Sequence, residues 1–76
     1  MDAEIRTVFS QVFSIPASRV TDQLSWNDLE QWDSLGHIRL IDALREQFNI
    51  EIPADQALEM ESVREIKRIV SLLINV

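Results

Sequence analysis

Trp32-Asp33-Ser34-Leu35-Gly36-His37-Ile38-Arg39-Leu40-Ile41 reads as the end of a loop running into an amphipathic helix. Asp33 is a good N-cap, because its carboxylate can accept an amide N–H from Leu35 or Gly36. Ser34 then stands where unpaired N–H groups and the positive end of the helix dipole converge, a favourable place for a phosphate. Ile38, Ile41, Leu44 and Phe48 follow at helical spacing. That spacing predicts a helix over 34–48 with those four residues on its buried stripe. Projected at ~100° per residue, Leu35, Arg39, Asp42 and Glu46 fall together on the outward face. Leu35 is thus an apolar residue on the solvent side, next to the serine.

The flanking chain supplies the rest of a bundle. Asp2 can cap a first helix, in which Ile5, Val8, Phe9, Val12 and Phe13 recur at helical spacing. That helix should stop near Ser14, because Pro16 disfavours helical geometry at Ile15. Residues 15–33 form a long connection without a glycine. Loops beyond ~12–15 residues are uncommon in compact domains unless functional or tied down. Ile15, Val20, Leu24, Trp26, Leu29 and Trp32 are placed to pin this one, and Ser25–Asp28 can form one turn capped by Ser25. Asn49–Pro53 alternates like a strand but has no partner strand, so it is predicted to be an extended link. A short helix over 54–59 follows, with Pro53 near its start. Ser62-Val63-Arg64-Glu65 has the form of a capping box. It opens a last helix with Val63, Ile66, Ile69, Val70 and Leu73 inward. The expected architecture is one all-α domain over residues 1–76, a small four-helix bundle. It has three main helices, one short helix and a long loop between helices 1 and 2. Phe9, Ile41, Leu44, Phe48, Ile66 and Ile69 are expected to meet in its core.

Composition narrows the function. Of 76 residues 13 are acidic and 7 basic, a net charge of −6. That disfavours nucleic acid, which needs a basic footprint, and favours partners with basic docking patches met through electrostatic steering. With no cysteine there is no thiol nucleophile, disulfide framework or cysteine-ligated metal. The acidic start lacks an apolar signal core, and no run approaches the ~18 apolar residues of a membrane span. A cytoplasmic, monomeric protein with no membrane partner is expected. Trp26 and Trp32 are read as loop anchors. A lone histidine gives no metal cluster, and Asp22 and Asp28 lack calcium-loop spacing. Asp33, Ser34 and His37 have the residue types of a hydrolytic triad. All three crowd one helix start, however, and no second element supplies the base. The chain is therefore expected not to be an enzyme, with His37 flanking the core or an attached group.

Asp33-Ser34-Leu35 opens an amphipathic helix at mid-chain, after a long loop, in a small acidic chain. In this it resembles the acyl carrier protein family, and the resemblance covers essentially all 76 residues. It implies that Ser34 bears a 4′-phosphopantetheine arm, transferred from coenzyme A by a phosphopantetheinyl transferase. Asp33 would help that transferase hold its magnesium ion, and Leu35 would dock into it. The arm's thiol would carry acyl groups as thioesters to acyl-loading, acyl-transfer or condensing enzymes of fatty-acid, polyketide or related biosynthesis. The partner face implied is Leu35, Gly36, Arg39, Asp42 and Glu46.

Fatty-acid carriers usually have an acidic residue where Gly36 stands, favour glutamate at the positions of Arg39 and Arg45, and commonly have a hydrophobic contact residue at that of Asp42. These departures imply a dedicated carrier of a specialised pathway. Arg39 can also pair with Asp42 at i+3, and the missing side chain of Gly36 is expected to open space beside Ser34. Glu30-Gln31-Trp32 replaces the Leu-Gly-Gly of peptidyl carriers. A D-alanyl or aminoacyl carrier stays open as an alternative, as does an acidic interaction module without a prosthetic group.

Overall fold

In the computed structural model, which describes residues 1–74, the first helix, α1 (Asp2–Phe13), buries Ile5, Val8, Phe9 and Phe13. Its N-cap is Met1, whose carbonyl accepts the Ile5 N–H at 3.1 Å. The helix thus begins one residue earlier than an Asp2 cap requires. Asp2 instead lies in the first turn, where a carboxylate favours the dipole, and reaches Lys67 Nζ at 3.4 Å. Ser14 ends α1 in the left-handed conformation (φ 55°), so the helix stops where Pro16 predicts.

The long connection is held from several sides. Ile15, Val20, Leu24, Leu29 and Trp32 are buried, and Trp26 is half-buried. Trp26–Asp28 forms one 3₁₀ turn, with the Asp28 carboxylate accepting both the N–H (2.9 Å) and the hydroxyl (3.3 Å) of Ser25. Main-chain bonds stitch the loop to the start of the last helix: Trp26 N–H to Glu61 O and Val63 N–H to Leu24 O, both 2.9 Å. Lys67 donates to Asp22 at 2.6 Å. That hydrogen bond holds the Asp22 carboxyl below its ordinary value of 3.8 and raises the Lys67 ammonium. A depressed carboxyl favours the fold above its unfolded value, and the contribution is lost as pH falls through the folded one.

The remaining helices are α2 (Ser34–Phe48), α3 (Ala54–Glu59) and α4 (Val63–Ile74). The three longer helices, the short one and the long loop match the predicted all-α layout. No strand occurs among the described residues, only an isolated bridge between Ser25 and Ser62. No helix among them is long and apolar enough to cross a membrane. Asn49 (φ 53°) terminates α2, and the 50–53 link has no regular secondary structure, with Pro53 extended (φ −59°, ψ 149°) before α3. Half of the capping box forms at α4, where Ser62 Oγ accepts the Glu65 N–H at 3.2 Å. The Glu65 carboxylate turns to Arg68 at 2.8 Å instead of reaching back. Val63, Ile66, Ile69 and Val70 are buried as expected, with Leu73 at the margin.

One prediction about α2 is corrected. Its buried residues are Gly36, His37, Leu40 and Leu44. Ile41 and Phe48 are only partly buried, and Ile38 is 60% exposed. The helix is rolled so that Gly36 and His37 face the aromatic cluster under the loop, which carries Ile38 outward. Of the six expected core residues, Phe9, Leu44, Ile66 and Ile69 are buried, while Ile41 and Phe48 pack at the edge. Leu40, Met60 and Trp32 take the central places.

Candidate functional site

The start of α2 is fixed from three directions. Asp33 is extended (φ −101°, ψ −167°), and its Oδ1 accepts the Gly36 N–H at 2.8 Å. Its carbonyl accepts the His37 N–H, also at 2.8 Å, which begins the helical ladder. Trp32, 1% exposed, drives the loop end into the core. Its ring sits edge-on to Phe9 at 5.1 Å and beside Phe13 at 5.9 Å. Gln31 donates from Nε2 to the Phe13 carbonyl at 3.3 Å, tying the loop end to the close of α1.

Gly36 completes this junction, and its role differs from the one expected. It is buried, and a Cβ there would lie 2.1 Å from the Gln31 carbonyl oxygen and 3.1 Å from a Phe13 ring carbon. The space left by the missing side chain is filled by the loop, so Gly36 belongs to packing and not to a partner-facing surface. Alanine would ordinarily favour a helix by ~1 kcal/mol over glycine. Here Gly36→Ala should instead destabilise by about 1–3 kcal/mol, as overpacking does. Urea denaturation of the variant checks this, and a gain in stability would remove the contact from the account.

His37 joins the loop, α2 and α3. Its Nδ1 accepts the Trp32 indole N–H at 3.0 Å, and its Nε2–H donates to the Ala57 carbonyl at 2.8 Å. The indole can only donate and the carbonyl can only accept, which places the ring proton on Nε2. Trp26 packs on the imidazole at 4.7 Å. Breaking either buried bond leaves a polar group unpaired at ~1–3 kcal/mol. With both nitrogens engaged, His37 has no lone pair to turn toward Ser34. Neither these bonds nor Gln31's could be read from the sequence, since they join residues brought together only by folding.

Ser34 and Leu35 are exposed at the head of this assembly, Leu35 by 66%. Among the described residues no protein acceptor takes the N–H of either. An open hydroxyl on a helix N-terminus, flanked by free amides, suits a phosphodiester. Down the outward face, Arg39, Asp42 and Glu46 are exposed as predicted. The expected Arg39–Asp42 pair does not form. Asp42 leans to Arg45 at 3.5 Å, and Arg45 also reaches Glu51 on the link at 3.8 Å. A guanidinium between two carboxylates competes better for Asp42 than Arg39 does, and Arg39 has no ion-pair partner among the described residues. No cluster of metal-ligating side chains occurs among them.

The Ser34 hydroxyl is exposed on a helix start, and among the described residues no base is aimed at it. A family model described as "Phosphopantetheine attachment site" matches residues 3–70. The acyl carrier protein of Helicobacter pylori is 35% identical over 63 residues, covering 83% of this chain and 81% of its own length. That of Guillardia theta is 35% identical over 63 residues, covering 82% and 76%. That of Thermobifida fusca is 29% identical over 59 residues, covering 78% and 75%. The chain belongs to the acyl carrier protein family. The family's prosthetic group is covalent 4′-phosphopantetheine, and its carrier domains are in general non-catalytic partners of a phosphopantetheinyl transferase and of biosynthetic enzymes.

Proposed function

We propose that Ser34 Oγ is the attachment point, and that the chain carries acyl groups as thioesters between enzymes. The observation that carries this reading is the exposure of Ser34 on an α2 start whose cap is supplied by its neighbour Asp33. Removing or modifying the hydroxyl therefore leaves the helix capped. In loading, Ser34 Oγ gives its proton to the transferase and forms a phosphodiester with the pantetheine phosphate of coenzyme A, whose nucleotide leaves. When bound, the arm supplies the thiol that holds the acyl group. The chain's own part is to present the site rigidly, through Trp32, Gly36 and Asp33, and to be recognised through exposed Leu35. Asp33 is already engaged by Gly36 through one carboxylate oxygen, which leaves the other to meet the transferase's magnesium ion.

The acidic surface opposes self-association, which supports a monomer. The test is intact mass after incubation with coenzyme A and a broad-specificity transferase. One phosphopantetheine should be gained and map to Ser34. No gain, or a gain on Ser10, Ser14, Ser18, Ser25, Ser62 or Ser71, would overturn the assignment.

The proposed partner face is Leu35, Arg39, Asp42 and Glu46. With no ion-pair partner among the described residues, Arg39 presents its charge to whatever docks. An enzyme built for a uniformly acidic helix would oppose Arg39 with lysine or arginine, which slows encounter. A dedicated enzyme of a specialised pathway should offer an acidic or neutral group there. Arg39→Glu is expected to slow transfer by the cognate enzyme and to speed recognition by general fatty-acid enzymes, more so at low salt. Acyl-transfer kinetics at two salt concentrations measure both effects. Unchanged rates with both enzymes would move partner choice off this face.

A further inference from the structure

Four of the seven basic residues, Arg6, Arg19, Arg39 and Arg64, have no ion-pair partner among the described residues. Acidic residues outnumber basic ones 13 to 7, so position and not supply leaves an arginine alone. Arg39 stands on α2. The other three belong to α1, to the 3₁₀ turn Ala17–Arg19 and to the first turn of α4.

Arg6 and Arg64 come together around Asp22. Arg6 lines an open groove of about 390 Å³ with Ser18, Thr21, Asp22 and Lys67. The Arg64 N–H donates to the Asp22 carbonyl at 3.3 Å, which brings the head of α4 against the same residue. Lys67 leads in holding the Asp22 carboxyl low, and Arg64 and Arg6 are close enough to add to it. Lys67 already engages Asp22 at 2.6 Å and Asp2 at 3.4 Å. What this face has left to offer is the positive charge of two exposed guanidiniums.

No residue of α2 or α3 lines the groove, so a partner seated there leaves Ser34 open. A nucleic acid or an anionic bilayer spreads negative charge over a wide area, and the rest of a chain of net charge −6 opposes both. A second copy brings the same repulsion. A different protein can set carboxylates at one groove and keep the rest of its surface clear. We propose that the face of α1, the long loop and α4 around Asp22 is a second docking surface, taken by an acidic segment of a partner protein whose carboxylates meet Arg6 and Arg64. A partner held here does not compete with an enzyme working at Ser34.

The test titrates the whole, unloaded chain with acetyl-hexaglutamate amide at low salt and follows its backbone amides by NMR. The amides of Arg6, Thr21, Arg64 and Lys67 should shift together and saturate, while those of Leu35, Asp42 and Glu46 stay in place. High salt should erase the effect. Arg6→Gln combined with Arg64→Gln should raise the half-saturation concentration roughly tenfold, and Arg68→Gln should leave it unchanged. If the double variant does not fold, Arg6→Gln alone decides, with an expected rise of about threefold. Absent shifts, or shifts that survive these substitutions, overturn the proposal. So does an equal loss with Arg68→Gln, which would mark general charge attraction. Phosphatidylglycerol vesicles that shift these amides where the peptide does not would make the face a lipid surface. Shifts on concentrating the chain alone would make it a contact between copies. Because the chain carries no arm in this experiment, its failure leaves the attachment at Ser34 untouched.

Discussion

Ser34→Ala is expected to fold as the parent does and to gain no mass with coenzyme A and a transferase. The loss of loading should be complete, because the reaction needs an oxygen nucleophile at one place and alanine has none. The fold should hardly register the change. Ser34 is exposed, and its hydroxyl makes no hydrogen bond among the described residues. The α2 cap comes from the Asp33 carboxylate, which accepts the Gly36 N–H at 2.8 Å. Alanine is also the better helix former. The change in stability should therefore stay within about 0.5 kcal/mol, as for other surface substitutions away from special contacts. Thermal denaturation and intact mass on the same sample separate the two effects. A variant that still gains phosphopantetheine sends the arm elsewhere, and one that unfolds makes the missing modification uninformative about Ser34 itself. Wild-type peptide mapping then decides.

What could be read in the sequence was mostly local. The Asp33 cap, the stop after Phe13, the turn at Ser25–Asp28 and the restart at Ser62 each depend on residues within four positions of one another, and all four are found. The loop anchors were legible because buried apolar side chains in a long loop have few other uses. What escaped was the roll of α2. An apolar count sees Ile38 and Ile41 but assigns no weight to a glycine or a histidine, and those two decide the matter. Gly36 is inward because a carbonyl from residue 31 occupies the place of its side chain. His37 is inward because both its nitrogens find partners, one five residues away and the other twenty. Arg39 illustrates the same limit on the surface. Spacing allowed it Asp42, but Arg45 at the same spacing has a second carboxylate, Glu51, to hold it in position.

Leu44→Ala should cost ~2–5 kcal/mol, whereas Ile38→Ala on the same helix should cost almost nothing. Both lie on the stripe that spacing alone predicts to be buried, so the pair tests the roll of α2 directly. Leu44 is completely buried and belongs to the cluster that includes Phe9, Ile66 and Ile69. Truncation removes its apolar area and leaves a cavity that three packed helices cannot fully close. At ~0.05–0.15 kcal/mol per residue a chain of this size has roughly 4–11 kcal/mol in all, so the loss takes a large share. Ile38 is 60% exposed, and its burial in the fold gives little to lose. Leu40→Ala should behave like Leu44→Ala, since Leu40 too is completely buried. Urea denaturation with unchanged slope gives the three values. If Ile38→Ala destabilises as much as Leu44→Ala, then α2 turns Ile38 inward, and Gly36 and His37 do not set its roll.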